Sequence, residues 1–177
     1  MTADDLLDLM LRRRSIRRYT EGRIPEDTLQ RVLQAGLLGP SACNKRNYEL
    51  LAIRDRETLR SLIGCRASGP AMLKEADALI LVLGDPAVSD TWIEDGAIAL
   101  TQMHLMATAL GLGSCWIQGR ERLAADGSAA TDFLRRRLGW PEGYIVEGML
   151  CLGFPAEEKV PYRPEALPTE KIHLDTF

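Results

Sequence analysis

The chain is poor in the residues that build metal centres. It has four cysteines, Cys43, Cys65, Cys115 and Cys151, and two histidines, His104 and His173. No two cysteines form a CxxC pair, so a zinc cluster has no spacing to build on and no metal is expected. Cys115 and Cys151 lie inside apolar runs, where a free thiol acts as a small hydrophobe. Reduced thiols suit a cytoplasmic protein. No apolar run approaches the ~18–20 residues that span a bilayer. The longest, over 97–112, is broken by Gln102 and His104, so no membrane is expected. The opening MTADDLLDLM is acidic and lacks the basic-then-apolar order of a signal peptide.

Several catalytic and binding patterns are also missing. There is no GxxxxGK[ST] loop and no GxGxxG after a strand. Neither histidine stands near a nucleophile pattern. His104, at helical spacing among apolar residues, reads as a core histidine. The adjacent pairs Glu94-Asp95 and Glu157-Glu158 diverge on a helix or strand, and read as surface charge. The formal net charge is −3, whereas a nucleic-acid-binding chain is usually basic, so no nucleic-acid partner is expected. Few side chains are left to make or break bonds. Such a chain suits an enzyme whose chemistry belongs to a cofactor.

What is present is the balance of a soluble globular protein. Hydrophobic residues make up 46% and charged residues 27% of 177. No linker divides the chain, so residues 1–177 read as one domain. Apolar periodicity predicts a helix over 3–12, with Leu6, Leu7, Met10 and Leu11 on one face. A second helix starts at Pro25 and stops at Gly39-Pro40. Asp55 is placed to cap a short helix, and Ser128 a later one ending at Gly139. A long helix over about 91–110 carries Ala97, Ala99, Ala107 and Ala109, small residues that permit close packing. Strands are predicted at 48–53, 78–83, 114–117 and 144–152. The stretch 64–70 reads as a loop. From Gly153 the chain is polar and proline-rich, and reads as an extended tail. The order points to an α+β fold with a sheet of four or five strands.

Three segments could hold a ligand. Arg12–Arg18 contains five arginines and Ser15, just after a helix. Guanidinium forks bind phosphate oxygens bidentately, and extended alternation would turn Arg13, Ser15 and Arg17 to one side. Taken alone, the run reads as a solvated basic face balanced by Asp4, Asp5 and Asp8. Gly39–Asn44 is a loop of small polar residues around Pro40. Gly111–Gly119 places glycines beside Trp116, where backbone amides could meet a ligand. Each of these two could equally be an ordinary connection between elements.

The three segments, in this order, resemble the nitroreductase-like family of FMN-dependent NAD(P)H oxidoreductases. The matching pieces are RRSIRRY at 13–19, PSACN at 40–44, DGAIALTQMHLMATALGLGSCW at 95–116 and LGFPAEEK at 152–159. The resemblance runs over nearly the whole chain and looks like a short-chain branch. It implies a mostly antiparallel sheet flanked by helices, the long helix central, in an intertwined homodimer. The tail, 160–177, would wrap the partner. It implies that Arg13, Arg14, Ser15 and Arg17 hold the FMN phosphate and ribityl end. Pro40, Ser41, Ala42 and Asn44 would reach the flavin of the other subunit. Trp116, Ile117, Gln118 and Gly119 would lie beside the ring, the Gln118 backbone N–H facing flavin N5. Lys159 and Arg163 are candidates for the late basic residue that returns to the phosphate.

The implied reaction is ping-pong. NAD(P)H reduces the flavin, which then reduces an electron-poor small molecule such as a nitroaromatic or a quinone, with no catalytic side chain required. An FMN carrier, a dehalogenase or a flavin-fragmenting enzyme are alternatives on the same fold; a nucleic-acid module using Arg12–Arg18 is a further one. The chain departs from the family where Lys45–Tyr48 and Ser68–Ala71 replace the usual residues. A cation beside the flavin pyrimidine must then come from Arg66, Lys74 or Arg120.

Overall fold

Four apolar runs form one antiparallel sheet. The strands are β1 (Tyr48–Ile53), β2 (Ala78–Gly84), β3 (Gly113–Gln118) and β4 (Ile145–Gly153), in the order β1-β2-β4-β3. β2 and β4 are central and covered on both faces. That is why ALILVLG shows no polar alternation. The computed structural model describes residues 2–68 and 70–177. Gly69, in the loop expected over 64–70, lies outside them.

Helices cover both faces of the sheet. On one side lie α2 (Glu26–Leu37) and α4 (Trp92–Ala109), whose Ala99, Leu100 and Met103 pack on Ile80, Val82, Leu150 and Leu152. On the other lie α3 (Arg56–Ser61) and α5 (Ala130–Leu138), with Leu59, Phe133 and Leu134 against Leu79, Leu81, Met149 and Cys151. Each buried Leu, Met or Phe stabilises this packing by roughly 1.5–3 kcal/mol. Small residues bring α4 close, as expected. A Cβ on Gly96 would meet the Glu147 side chain at 3.3 Å, and one on Gly36 would meet Met103 at 2.9 Å. Glu147 itself is an extra residue in β4: Val82 faces Gly148, while Leu83 faces Val146.

The helix ends follow local chemistry. α1 (Ala3–Arg12) opens with a Thr2–Asp5 capping box. Asp55 caps α3, accepting from Thr58 N at 2.7 Å. Gly139 closes α5 in the left-handed region at φ 78°. One expectation fails. Ser128 donates to Asp126 rather than capping α5, which begins two residues later. The apolar face of α1 does not enter the core: Leu9 is buried, but Leu6, Leu7 and Met10 are exposed.

Candidate active site

The arginine segment leaves α1 and lies along the open edge of β3. Ile16 N donates to Ser114 O at 2.9 Å, and Ser15 and Ser114 form a parallel bridge. Alternation then sorts the side chains. Ser15 and Arg17 turn toward Cys115. Arg14 and Ile16 turn the other way, to a cavity of about 280 Å³ that Lys159 also lines. Arg13 does not join Ser15 and Arg17. It is still the C-cap of α1, its N–H bonded to Leu9 O at 3.0 Å. Its guanidinium therefore reaches back to α4 and lies 3.0 Å from His104 Nε2.

The chain after β4 returns along this segment. Thr20 N donates to Phe154 O, Ala156 N to Arg18 O and Tyr162 N to Leu11 O. Glu157 accepts from Arg17 N at 2.6 Å and pairs with Lys159 at 2.8 Å. Lys159 first, then the backbone N–H, holds its carboxyl below the usual carboxylate range. Arg14 donates to Val160 O and sits over the Tyr162 ring at 4.5 Å. Lys159 is thus brought to the arginine segment, and Arg163 follows it as an exposed residue.

Below Arg17 opens a cavity of about 360 Å³, lined by Arg66, Ser68, Pro70, Trp116 and Ile117. β3 forms one wall. In an antiparallel strand the N–H and C=O of one residue face the same side, and alternate residues swap sides. Ser114 points its carbonyl at Ile16, away from β4. The backbone N–H of Trp116 and of Gln118 therefore faces the open edge. The Gln118 side chain is already committed elsewhere. Its Nε2 donates to Glu147 O at 3.1 Å, and its Oε1 accepts from Trp116 Nε1 at 3.0 Å. At Gly119 a Cβ would meet Val146 at 2.8 Å, so the strand can turn there only without a side chain.

Of the three cations considered, Arg66 lines this cavity. Arg120 lines a larger one, about 570 Å³, with Trp92 and Tyr144, and pairs with Glu121 at 2.8 Å. Apart from Arg120, that larger cavity contains none of the residues expected at the cofactor. Pro40, Ser41, Ala42 and Asn44 stand apart from both. Pro40 lines a groove beside Ala97 and Thr101. Ser41 Oγ accepts from Arg46 N at 2.9 Å, and Ala42 N donates to Asp95 Oδ1 at 3.0 Å. Cys43 and Asn44 sit in the left-handed region, at φ 51° and 55°. The single chain thus brings Arg17, Trp116 and Ile117 to one cavity and leaves the Pro40–Asn44 loop outside it.

Several residues carry more than their sequence context announced. Asp95 was expected as surface charge but is 2% exposed, and anchors the 40–44 loop. Its place among apolar residues of a long helix was the available signal. Glu147 is buried too, and burial raises its carboxyl pKa. Burial also pushes the Cys151 thiol up to about 12 and Cys65 up to about 11, so both are inert core groups. Among the described residues no three metal-binding side chains converge. No described helix is long and apolar enough to cross a membrane.

Comparison with known proteins agrees with this architecture. The model of the nitroreductase family matches residues 10–78 and 66–154. A protein of Archaeoglobus fulgidus is 34% identical over 182 residues, covering 98% of this chain and 99% of its own; its name carries both NADH dehydrogenase and NAD(P)H nitroreductase. An NADH dehydrogenase of Thermus thermophilus is 29% identical, covering 93% of this chain and 92% of its own. The solved structure of an FMN-dependent nitroreductase from Clostridium difficile R20291 is 37% identical. It superimposes with a TM-score of 0.93, over 97% of this chain and 99% of that one. With the family model spanning most of its length and a relative matching end to end, this chain belongs to the nitroreductase family.

Proposed function

We propose that the protein is an FMN-dependent oxidoreductase that takes electrons from NAD(P)H and passes them to an electron-poor small molecule, such as a nitroaromatic or a quinone. The observation that carries this is the cavity at the open edge of β3. It has a guanidinium, Arg17, at its rim, Trp116 and Ile117 in its wall, and strand N–H groups facing outward. That donor set fits a flat ring with an anionic tail. FMN held there would supply the two-electron chemistry. Ser15 and Arg17 hold the phosphate end from one side of the segment, and Arg13 reaches it separately, from its place beside His104. Arg14, Lys159 and Arg163 keep the returning tail and its positive charge beside them. Trp116, Ile117, Gln118 and Gly119 flank the ring, with the Gln118 N–H as the donor toward its reactive nitrogen. Arg66 is the cation best placed to favour the reduced anion. Donor and acceptor take turns in one opening, so the kinetics are ping-pong.

The working form in this proposal is a homodimer. The Pro40–Asn44 loop of one chain completes the site of the other. Two features support it. The loop is held rigid by Asp95 yet meets no cavity of its own chain's cofactor site. A single chain also leaves Leu6, Leu7 and Met10 of α1 and Ile172, Leu174 and Phe177 of the tail exposed, apolar groups that a partner could cover. Residues 1–177 act as one domain, with 160–177 as the strap. Four free cysteines suit the cytoplasm as its location.

The visible spectrum of the purified protein tests the proposal. Flavin bands bleached by NAD(P)H, with steady turnover on menadione or a nitrofuran, are expected. Flavin bands without turnover would make it an FMN carrier. A colourless protein that neither binds FMN nor oxidises NAD(P)H would refute the proposal.

A further inference from the structure

His104 has a partner for each ring nitrogen. It lies in the second half of α4 and is buried, with Nδ1 2.5 Å from Ser114 Oγ and Nε2 3.0 Å from Arg13 Nη1. A guanidinium can only donate, so Nε2 must accept and carries no proton. The ring proton is then on Nδ1 and is donated to Ser114 Oγ. Burial first, and then the charge of Arg13, lowers the imidazole pKa to about 4, which keeps the ring neutral. Ser114 acts twice, because its carbonyl also accepts from Ile16 N at 2.9 Å. β3 therefore grips the arginine segment at two points: Ile16 directly, and Arg13 through the imidazole.

The choice of partner has a consequence. Arg12 pairs with Asp8 and Arg18 with Glu75, and those carboxylates compete with any anion. Arg13 is held by an uncharged acceptor, so it is oriented without being neutralised. A guanidinium has five N–H groups; His104 takes one and leaves four. An arginine fixed in advance has already given up the rotamer freedom that a free one loses on meeting its anion.

We propose that His104 is a positioning residue for the cofactor phosphate: its Nδ1–H tautomer, locked by Ser114, presents the charged Arg13 guanidinium to the anion. This rests on the reading of Arg13 as a phosphate ligand. The test is the Kd for FMN in a double-mutant cycle. His104→Leu should weaken FMN binding about tenfold, the size of one lost hydrogen bond. His104→Gln, whose Oε1 can replace Nε2 as acceptor, should stay within about threefold of wild type. In an Arg13→Ala background His104→Leu should add less than about twofold, because the residue it positions is gone.

If Arg13→Ala itself leaves FMN binding unchanged, the phosphate role of Arg13 falls and the inference falls with it. If Arg13→Ala weakens FMN but His104→Leu does not, or costs the same in both backgrounds, only the positioning role is overturned. Ring-nitrogen NMR of the wild-type protein gives a readout independent of folding in the variants. The chain has two histidines, so the ring signals are simple to assign. A neutral Nδ1–H signature for His104 at pH 7 is expected; an Nε2–H tautomer or an imidazolium would overturn the proposal.

Discussion

Replacing Arg17 by alanine separates what its backbone does from what its side chain does. The backbone N–H donates to Glu157 at 2.6 Å and Ile16 N to Ser114 O, and neither bond uses the Arg17 side chain. The side chain is exposed and lines the cavity beneath the segment. Folding stability should therefore change by less than about 0.5 kcal/mol. For a chain of this length that is a Tm shift of at most about 2 °C. FMN binding should suffer much more. One charge-assisted contact is worth roughly 1.5–3 kcal/mol, and each ~1.4 kcal/mol is tenfold, so the Kd should rise about 10- to 150-fold. Adding Arg13→Ala should bring the loss to about two to four orders of magnitude. Arg17→Lys keeps the charge but not the fork, and should fall between. Quenching of flavin fluorescence gives the Kd, and the ratio of flavin to protein absorbance gives retention through purification. An Arg17→Ala protein with wild-type melting and an FMN Kd within about twofold of wild type would remove the phosphate assignment.

Three further outcomes follow from the same geometry. Gln118→Ala should keep NAD(P)H oxidation, since the group facing the open edge is the backbone N–H, and should cost only the side-chain bonds to Trp116 and Glu147. Gln118→Pro removes that N–H and should abolish turnover; loss of turnover in the alanine variant would show a side-chain role instead. Asp77→Ala should cost about 1–3 kcal/mol in urea unfolding, because it leaves the buried Ile24 N–H without its acceptor and takes from Arg54, which keeps Glu26 at 2.9 Å, its partner at 2.7 Å. His104 gives a sign for acid. Its folded pKa of about 4 lies below the ordinary 6.5, so the unfolded chain binds the extra proton first. Its share of stability is intact above about pH 6.5 and is lost as pH falls toward 4, at up to about 1.4 kcal/mol per pH unit. Acid unfolding of His104→Gln should show a shallower slope in that window; an unchanged slope would mean the ring is not buried neutral.

The sequence alone determined the elements. Apolar periodicity and punctuation placed all four strands and the long helix within a residue or two, because those signals are local: continuous burial in Ala78–Gly84, capping at Asp55, a left-handed stop at Gly139. The donors that the arginine segment can offer were visible for the same reason, since residue types within one segment set them, but alone the run read as a basic face and only the resemblance pointed to a phosphate. Tertiary structure decided which donors meet. Arg13 belongs to the last turn of α1, so it goes to His104 and away from Ser15 and Arg17. Glu157 reaches Arg17 across 140 residues of chain, and no local pattern could announce that pairing. Asp95 looked like a surface charge because charge predicts exposure on average, and nothing in the sequence marked Glu147. A helix seated on a sheet buried both of them, and a partner at Ala42 N or Gln118 exists only once the fold has closed.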